Sequence, residues 1–312
     1  MHVRKLVKSG QASLVTAIPR DFVKRHNLQQ GDVIYIKDKE KSLELLPEKI
    51  EEKKEKSETV INIDGKDKRT LLFDITSAYI NNYDLIRFTG AEIAKKHKII
   101  KEKVGELVAL EVVDENTTKI IAKDFLNLYD IDVKSIVRRM DNIVRSMMGD
   151  IHQVAKGEDL AGYIESRDTE VNKLNFFVSK ILKAAYLDNR VMEALGLTHL
   201  ELLRYWEVNH YIEKIGDDMK ALAVLINQEP KKHTSINLFR KIETLYIDAM
   251  KAFYQFSIEK ADDVGSRRKD LLKSVERHLE KSNCLVCARV MMIYDNMIDV
   301  INGISKIMRF LE

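Results

Sequence analysis

Residues 210–226 read HYIEKIGDDMKALAVLI, and this stretch decides the fold. Ile212, Ile215, Met219 and Leu222 recur at three- and four-residue steps, which lays them along one apolar stripe of a helix. Beside it runs a polar stripe of His210, Glu213, Asp217 and Lys220. Glu213 and Asp217 are four apart, so both carboxylates share a face. Gly216 stands in mid-helix, where glycine costs roughly 1 kcal/mol relative to alanine, so close packing or the approach of a ligand is expected there.

Outward from that helix the same stripe recurs. Toward the N-terminus it appears in Ile136, Met140, Ile143, Met147, Ile151 and Val154, then in Val171, Leu174, Val178, Ile181 and Ala185. Toward the C-terminus come Leu238, Ile242, Leu245 and Ala249, then a shorter run of Leu271, Val275 and Leu279. Val286, Val290, Ile293, Met297, Val300 and Ile304 complete the series. Breaks are expected near Gly157, at 195–198, near Pro230, at Gly265 and near Asn283. Narrow stripes with short connections describe antiparallel helices packed as bundles. The Pro230 break suggests one three-helix unit used twice, over residues 130–229 and 230–312. Placing Asp217 on Asp295 also places Ile212 on Val290, Met219 on Met297 and Leu222 on Val300.

Composition agrees with a mainly α chain. Only 3 Pro and 12 Gly occur in 312 residues, which argues against collagen-like, disordered and turn-dense all-β classes. Two Cys make no disulfide framework, the first residues lack the apolar core of a signal peptide, and no apolar run is long enough for a membrane span. A cytoplasmic protein without membrane insertion is expected. The net charge of +3 gains meaning only when localised: Arg4, Lys5, Lys8, Arg20, Lys24 and Arg25 face a single acid, Asp21, within the first 25 residues.

That basic start belongs to a small unit, residues 1–47. It reads as a strand at 3–8, a loop, a short helix at 20–28, and two strands at 31–38 and 41–47 joined by DKEKS. Residues 48–58, EKIEEKKEKSE, are a charged linker. Residues 59–129 mix periods: VINID, LIRFT, ALEVV and KIIAK alternate like strands, DENTT reads as a hairpin turn, and KRTLLFDITSAYI and AEIAKKHKIIKEKVGEL read as helices. This is a small α+β module. On the second bundle helix Asp168, Asn172, Asn175 and Ser179 form a polar stripe. Cys284 and Cys287 lack a second Cys pair and read as structural thiols; Trp206 with Tyr205 and Tyr211 reads as core packing.

Two resemblances follow from these residues. Gly10, Thr16, Ile18, Pro19 and Arg20, followed by Leu28, Gly31, Asp32 and Val33, make residues 1–47 similar to the AbrB/MazE/SpoVT swapped-hairpin family. The resemblance implies half of a β-barrel completed by a second chain, hence a homodimer, with double-stranded DNA bound through Arg4, Lys5, Lys8, Arg20 and Lys24. The run EKIGDDMKALA at 213–223, with ESRDTEVNKL at 165–174, resembles the PhoU family of phosphate-uptake regulators. It implies two three-helix bundles and a divalent or iron/zinc ion at Asp168, Glu213 and Asp217. The order of the three parts is similar to that of archaeal proteins joining an AbrB-type module to PhoU repeats.

The chain departs from the PhoU pattern where acids are expected: Asn172 on the second helix, Met291 opposite Glu213 in the second repeat, and Arg268 and Leu272 on the fifth helix. No P-loop, GxGxxG, HExxH or nucleophile-elbow motif occurs, so no enzyme is expected. The resemblances imply a phosphate-responsive transcriptional regulator with the ATPase of a phosphate transporter as a further partner. The alternative is a dimeric adaptor that inhibits a phosphate ABC transporter by contact without holding DNA.

Overall fold

The computed structural model describes residues 3–10, 13–38, 42–47, 57–229, 232–280 and 284–311. The chain divides into two compact units, Met1–Glu55 and Lys56–Glu312.

In the first unit β1 (Val7–Ser9) and β2 (Ser13–Val15) pair antiparallel, with Val7 opposite Val15. The strand expected at 3–8 is therefore shorter, and its partner lies in a segment read as loop. Gly10, at φ 72°, supplies the left-handed backbone with which the chain turns away from β1. Helix α1 (Arg20–Arg25) carries Asp21 in its first turn and Lys24 and Arg25 in its last, each matching the helix dipole. Asn27, at φ 51°, stops it. β3 (Tyr35–Asp38) and β4 (Leu43–Leu46) form a second antiparallel hairpin; most of its expected DKEKS turn lies outside the described residues. None of the described side chains in this unit is buried.

The second unit opens with a four-stranded sheet. β5 (Glu58–Asn62) is followed by α2 (Lys68–Ile80), β6 (Leu85–Thr89), α3 (Ile93–Gly105), β7 (Leu110–Glu115) and β8 (Lys119–Asp124). Strand order is β5-β6-β8-β7, with β5 and β6 parallel and the other pairs antiparallel. The expected hairpin turn is present, and Asn116 Oδ1 accepts from the backbone N–H groups of Thr118 and Lys119. Glu58 belongs to β5, where it pairs with Arg87 at 2.6 Å, so the sheet claims the last residue assigned to the linker. Most of the remaining linker lies outside the described residues. Ile63, Leu71, Ile75, Ile86, Phe88 and Ile100 form the module's core.

Helices α4 (Val133–Lys156), α5 (Ala161–Leu187), α6 (Asn189–Ala194) and α7 (His199–Ile226) come next, then α8 (Lys232–Gln255), α9 (Ile258–Glu280) and α10 (Leu285–Phe310). Gly157, at φ 107°, caps α4, and a Thr198–Glu201 capping box starts α7. Two expectations change. The break expected at Gly265 falls instead at Phe256, whose φ of 49° ends α8, and α9 runs straight through Gly265. The 195–198 connection is preceded by the short helix α6, started by the Asp188 side chain. No helix among the described residues is long and apolar enough to cross a membrane.

α4, α5 and α7 pack as one three-helix set and α8, α9 and α10 as another, sharing one continuous core. Like meets like between the sets: α4 lies on α8 and α7 on α10. Buried Asp141 ties the first pair, accepting from Arg145 Nε at 2.8 Å and from Tyr254 Oη at 3.1 Å. Asp218 and Asn296 tie the second, the amide donating to the carboxylate at 2.8 Å across 78 positions. The alignment that sets Asp217 on Asp295 also sets Asp218 on Asn296, so this hydrogen bond joins aligned positions of α7 and α10.

The α+β module is bolted to α5. Lys180, with 1% of its side chain exposed, reaches Asp124 at the end of β8 (2.6 Å) and the Tyr79 carbonyl at the end of α2 (3.1 Å). Asn82 donates back to the Lys180 carbonyl at 3.0 Å.

Candidate functional site

Each unit holds one candidate. In the first, Arg4, Lys5, Lys8, Arg20 and Lys24 are all exposed, as a phosphate-contacting surface requires. They stand among apolar side chains that are just as open: Val3 (81% exposed), Leu6 (64%), Val33 (66%) and Leu43 (65%). Isolated exposed apolar residues are ordinary; here they recur through a unit in which no described side chain is buried.

In the second unit, Asp168, Glu213 and Asp217 line one cleft of about 350 Å³ between α5, α7 and the end of α3. The shared face read from the sequence is thus real, and Asp168 is brought onto it by the packing of α5 against α7. Further along the same seam the polar stripe of α5 is zipped to α7: buried Asn209 donates to Asn175 Oδ1 (2.6 Å) and Ser179 Oγ (3.2 Å). Asp168 is 1% exposed. Its Oδ2 accepts from Lys220 Nζ at 3.0 Å and from the Asn172 amide at 3.3 Å, while Oδ1 is buried without a partner.

Burial holds the Glu213 carboxyl up at about 7, with the charges of Asp217 and Asp168 adding to it. Asp217, although its side chain is exposed, is raised as well, by the partial loss of water around its carboxylate and then by Asp168. Lys220 is raised by its hydrogen bond to Asp168. On the other side of α7, burial lifts Asp218 to about 7.

These residues do not fit the ion implied by the PhoU resemblance. A transition metal needs several donors converging with lone pairs free. Here Asp168 Oδ2 is occupied by an ammonium and an amide, which leaves Oδ1 as its one open acceptor, and Lys220 brings a positive charge to the place a metal would take. Among the described residues no three His, Cys, Asp or Glu side chains are grouped to hold a metal. What the cleft offers is a set of proton-sharing acceptors with Lys220 as their built-in cation.

Gly216 lies beneath Asp168. A methyl group added there would sit 3.5 Å from Val171 and 3.9 Å from Asp168 Oδ1, which is ordinary contact. The close approach expected at this glycine is found instead at Gly303 on α10, where an added Cβ would lie 2.6 Å from the Tyr211 ring. Trp206 is 42% exposed, against the expectation of core packing. Adjacent helical residues point about 100° apart, and Tyr205, 5% exposed, takes the inward direction.

Lys103, Glu106 and Phe176 also line the cleft. Lys103 comes from α3 and Glu106 from just past its end, more than sixty positions from Thr169, and no local pattern announces that they meet α5. The Cys284 side chain caps α10, accepting from Cys287 N–H at 3.3 Å, which is the structural role expected of the pair. Compared with known proteins, the chain matches no family model, no curated protein and no solved structure.

Proposed function

We propose that this protein is a PhoU-like, phosphate-responsive transcriptional regulator. Two copies pair through their N-terminal units and hold duplex DNA with Arg4, Lys5, Lys8, Arg20 and Lys24, while the helical body couples phosphate status to that grip and so controls phosphate uptake. One observation carries the reading: five exposed cations share a small unit with an apolar surface that the unit itself does not cover. A unit of this size needs another surface to complete a core, and clustered cations gain affinity by releasing counterions from phosphates. The phosphate signal rests on the resemblance of residues 165–174 and 213–223 to PhoU.

Fluorescence anisotropy with duplexes from promoters of phosphate-uptake genes tests the DNA arm. Affinity should fall steeply with salt, with a log–log slope of about −0.9 for each phosphate neutralised. It should vanish in an Arg4→Glu/Lys8→Glu variant that still pairs. Absence of duplex binding at low salt overturns this reading.

A second reading keeps the dimer and drops the DNA: an adaptor that inhibits a phosphate transporter by contact. The open apolar end of α5, where Tyr186 and Leu187 are 68% and 70% exposed, favours it. Co-purification of transporter ATPase with wild-type chain, lost in Tyr186→Glu/Leu187→Glu, separates the two. A divalent or iron/zinc ion at Asp168, Glu213 and Asp217 is not part of either reading. Stoichiometric metal in purified protein, absent from Glu213→Ala/Asp217→Ala, would reinstate it.

A further inference from the structure

Beside the acidic cleft lies a second hollow of about 500 Å³, walled by Lys68, Arg69, Leu72, Phe73 and Thr76 of α2 and by Lys103 and Phe176. Lys103 and Phe176 line both hollows, so the two adjoin. No carboxylate lines the larger one, and three cations do. Two of them lie over aromatic rings: Arg69 stands 5.6 Å from the Phe73 centroid and Lys103 4.9 Å from that of Phe176. Phe73 is 61% exposed, with the Arg69 guanidinium over its ring.

We infer that this hollow binds a purine nucleotide. Its volume lies within the range of small-molecule sites. A flat base stacks on phenyl faces and on a guanidinium plane alike, which an aliphatic chain does not exploit. The Thr76 hydroxyl spends its proton on the Leu72 carbonyl at 2.8 Å, leaving oxygen lone pairs for a base amino group. Lys68 and Arg69, both exposed at the start of α2, are placed to meet phosphate oxygens. Lys103 is shared with Glu106 at 3.2 Å and adds positive charge between the two hollows. Because α2 and α3 belong to the module that Lys180 fixes on α5, a ligand here would touch module and bundle together. The inference stands on the second unit alone and does not need the DNA reading.

Isothermal titration calorimetry on the full chain, without DNA, tests it with ADP, AMP, adenosine, inorganic phosphate and decanoate. ADP or AMP should bind with a micromolar dissociation constant, adenosine at least tenfold more weakly, and inorganic phosphate should not compete. Phe73→Ala and Arg69→Glu should each weaken the nucleotide at least tenfold; both side chains are exposed, so unchanged thermal melting certifies the fold. The inference is overturned if neither nucleotide binds at millimolar concentration, if binding survives both substitutions, or if decanoate binds and the nucleotides do not.

Discussion

The two three-helix sets share a plan and differ in what their polar faces do. In α5 and α7 the acids face a cleft roofed by α3, with Glu213 half-buried and Asp168 wholly so. In α9 and α10 the matching positions are closed. Met291, opposite Glu213 in the alignment, is 1% exposed within the core, and Arg268 lies on Asp299 at 2.6 Å along the surface. The apolar seam is therefore kept in both sets, and they differ where something else packs on one of them. The specialised copy is the one that carries the α+β module.

Removing the bolt between module and bundle gives the largest expected effect. Lys180→Ala leaves Asp124 buried without its cation, which costs about 3–5 kcal/mol. Urea denaturation should show it, and the Lys180→Ala/Asp124→Ala double variant should lose less than the two single changes summed. Next comes the glycine contrast between the repeats. Gly303→Ala puts a methyl group against the tip of the half-buried Tyr211 side chain, which must swing aside, and should destabilise by about 1 kcal/mol, with recovery in a Gly303→Ala/Tyr211→Ala variant. Gly216→Ala meets only ordinary contacts and should stabilise α7 by up to about 1 kcal/mol. Opposite signs at these two glycines would sharpen the comparison; equal signs would break it.

The cleft should also leave a pH signature that the second repeat lacks. Burial raises Glu213 from 4.5 to about 7 and lifts Asp217 above 3.8. Between those limits the folded chain holds protons that the unfolded chain has released. Stability from these groups is therefore greatest below the unfolded values and is lost as pH rises toward about 7. Glu213→Gln should flatten that decline by on the order of 1 kcal/mol, read as a shallower dependence of the urea midpoint on pH. The smallest effect is expected on the other side: Arg268→Ala breaks an ion pair that is 36% and 54% exposed and should change stability by less than about 1 kcal/mol.

Periodicity made the helices legible. KRTLLFDITSAYI is α2 residue for residue, LIRFT is β6, and Gly157 stops α4 as read. The shared face of Glu213 and Asp217 was legible for the same reason, since spacing on one helix is local. What lay beyond local pattern was which helix would turn a residue toward another. Phe256 ended α8 although Gly265 was the stronger breaker by type, because one left-handed residue reverses the chain whatever its side chain. Lys180, Lys103 and Phe176 gave no signal: a lysine entering a core looks in sequence like any surface lysine. In the N-terminal unit Gly10 turns the chain as its loop reading has it, whereas Ser13–Val15, in the same stretch read as loop, pair with β1.

None of the described side chains of that N-terminal unit is buried, and the proposed function has a second copy cover them. On that proposal pairing is second order in chain concentration, whereas the core of the helical body is built within one chain. Gene dosage then acts as a control in its own right. Halving the amount of protein in a dilute cell would then cut the paired form by up to about fourfold, while the helical core of each chain is untouched.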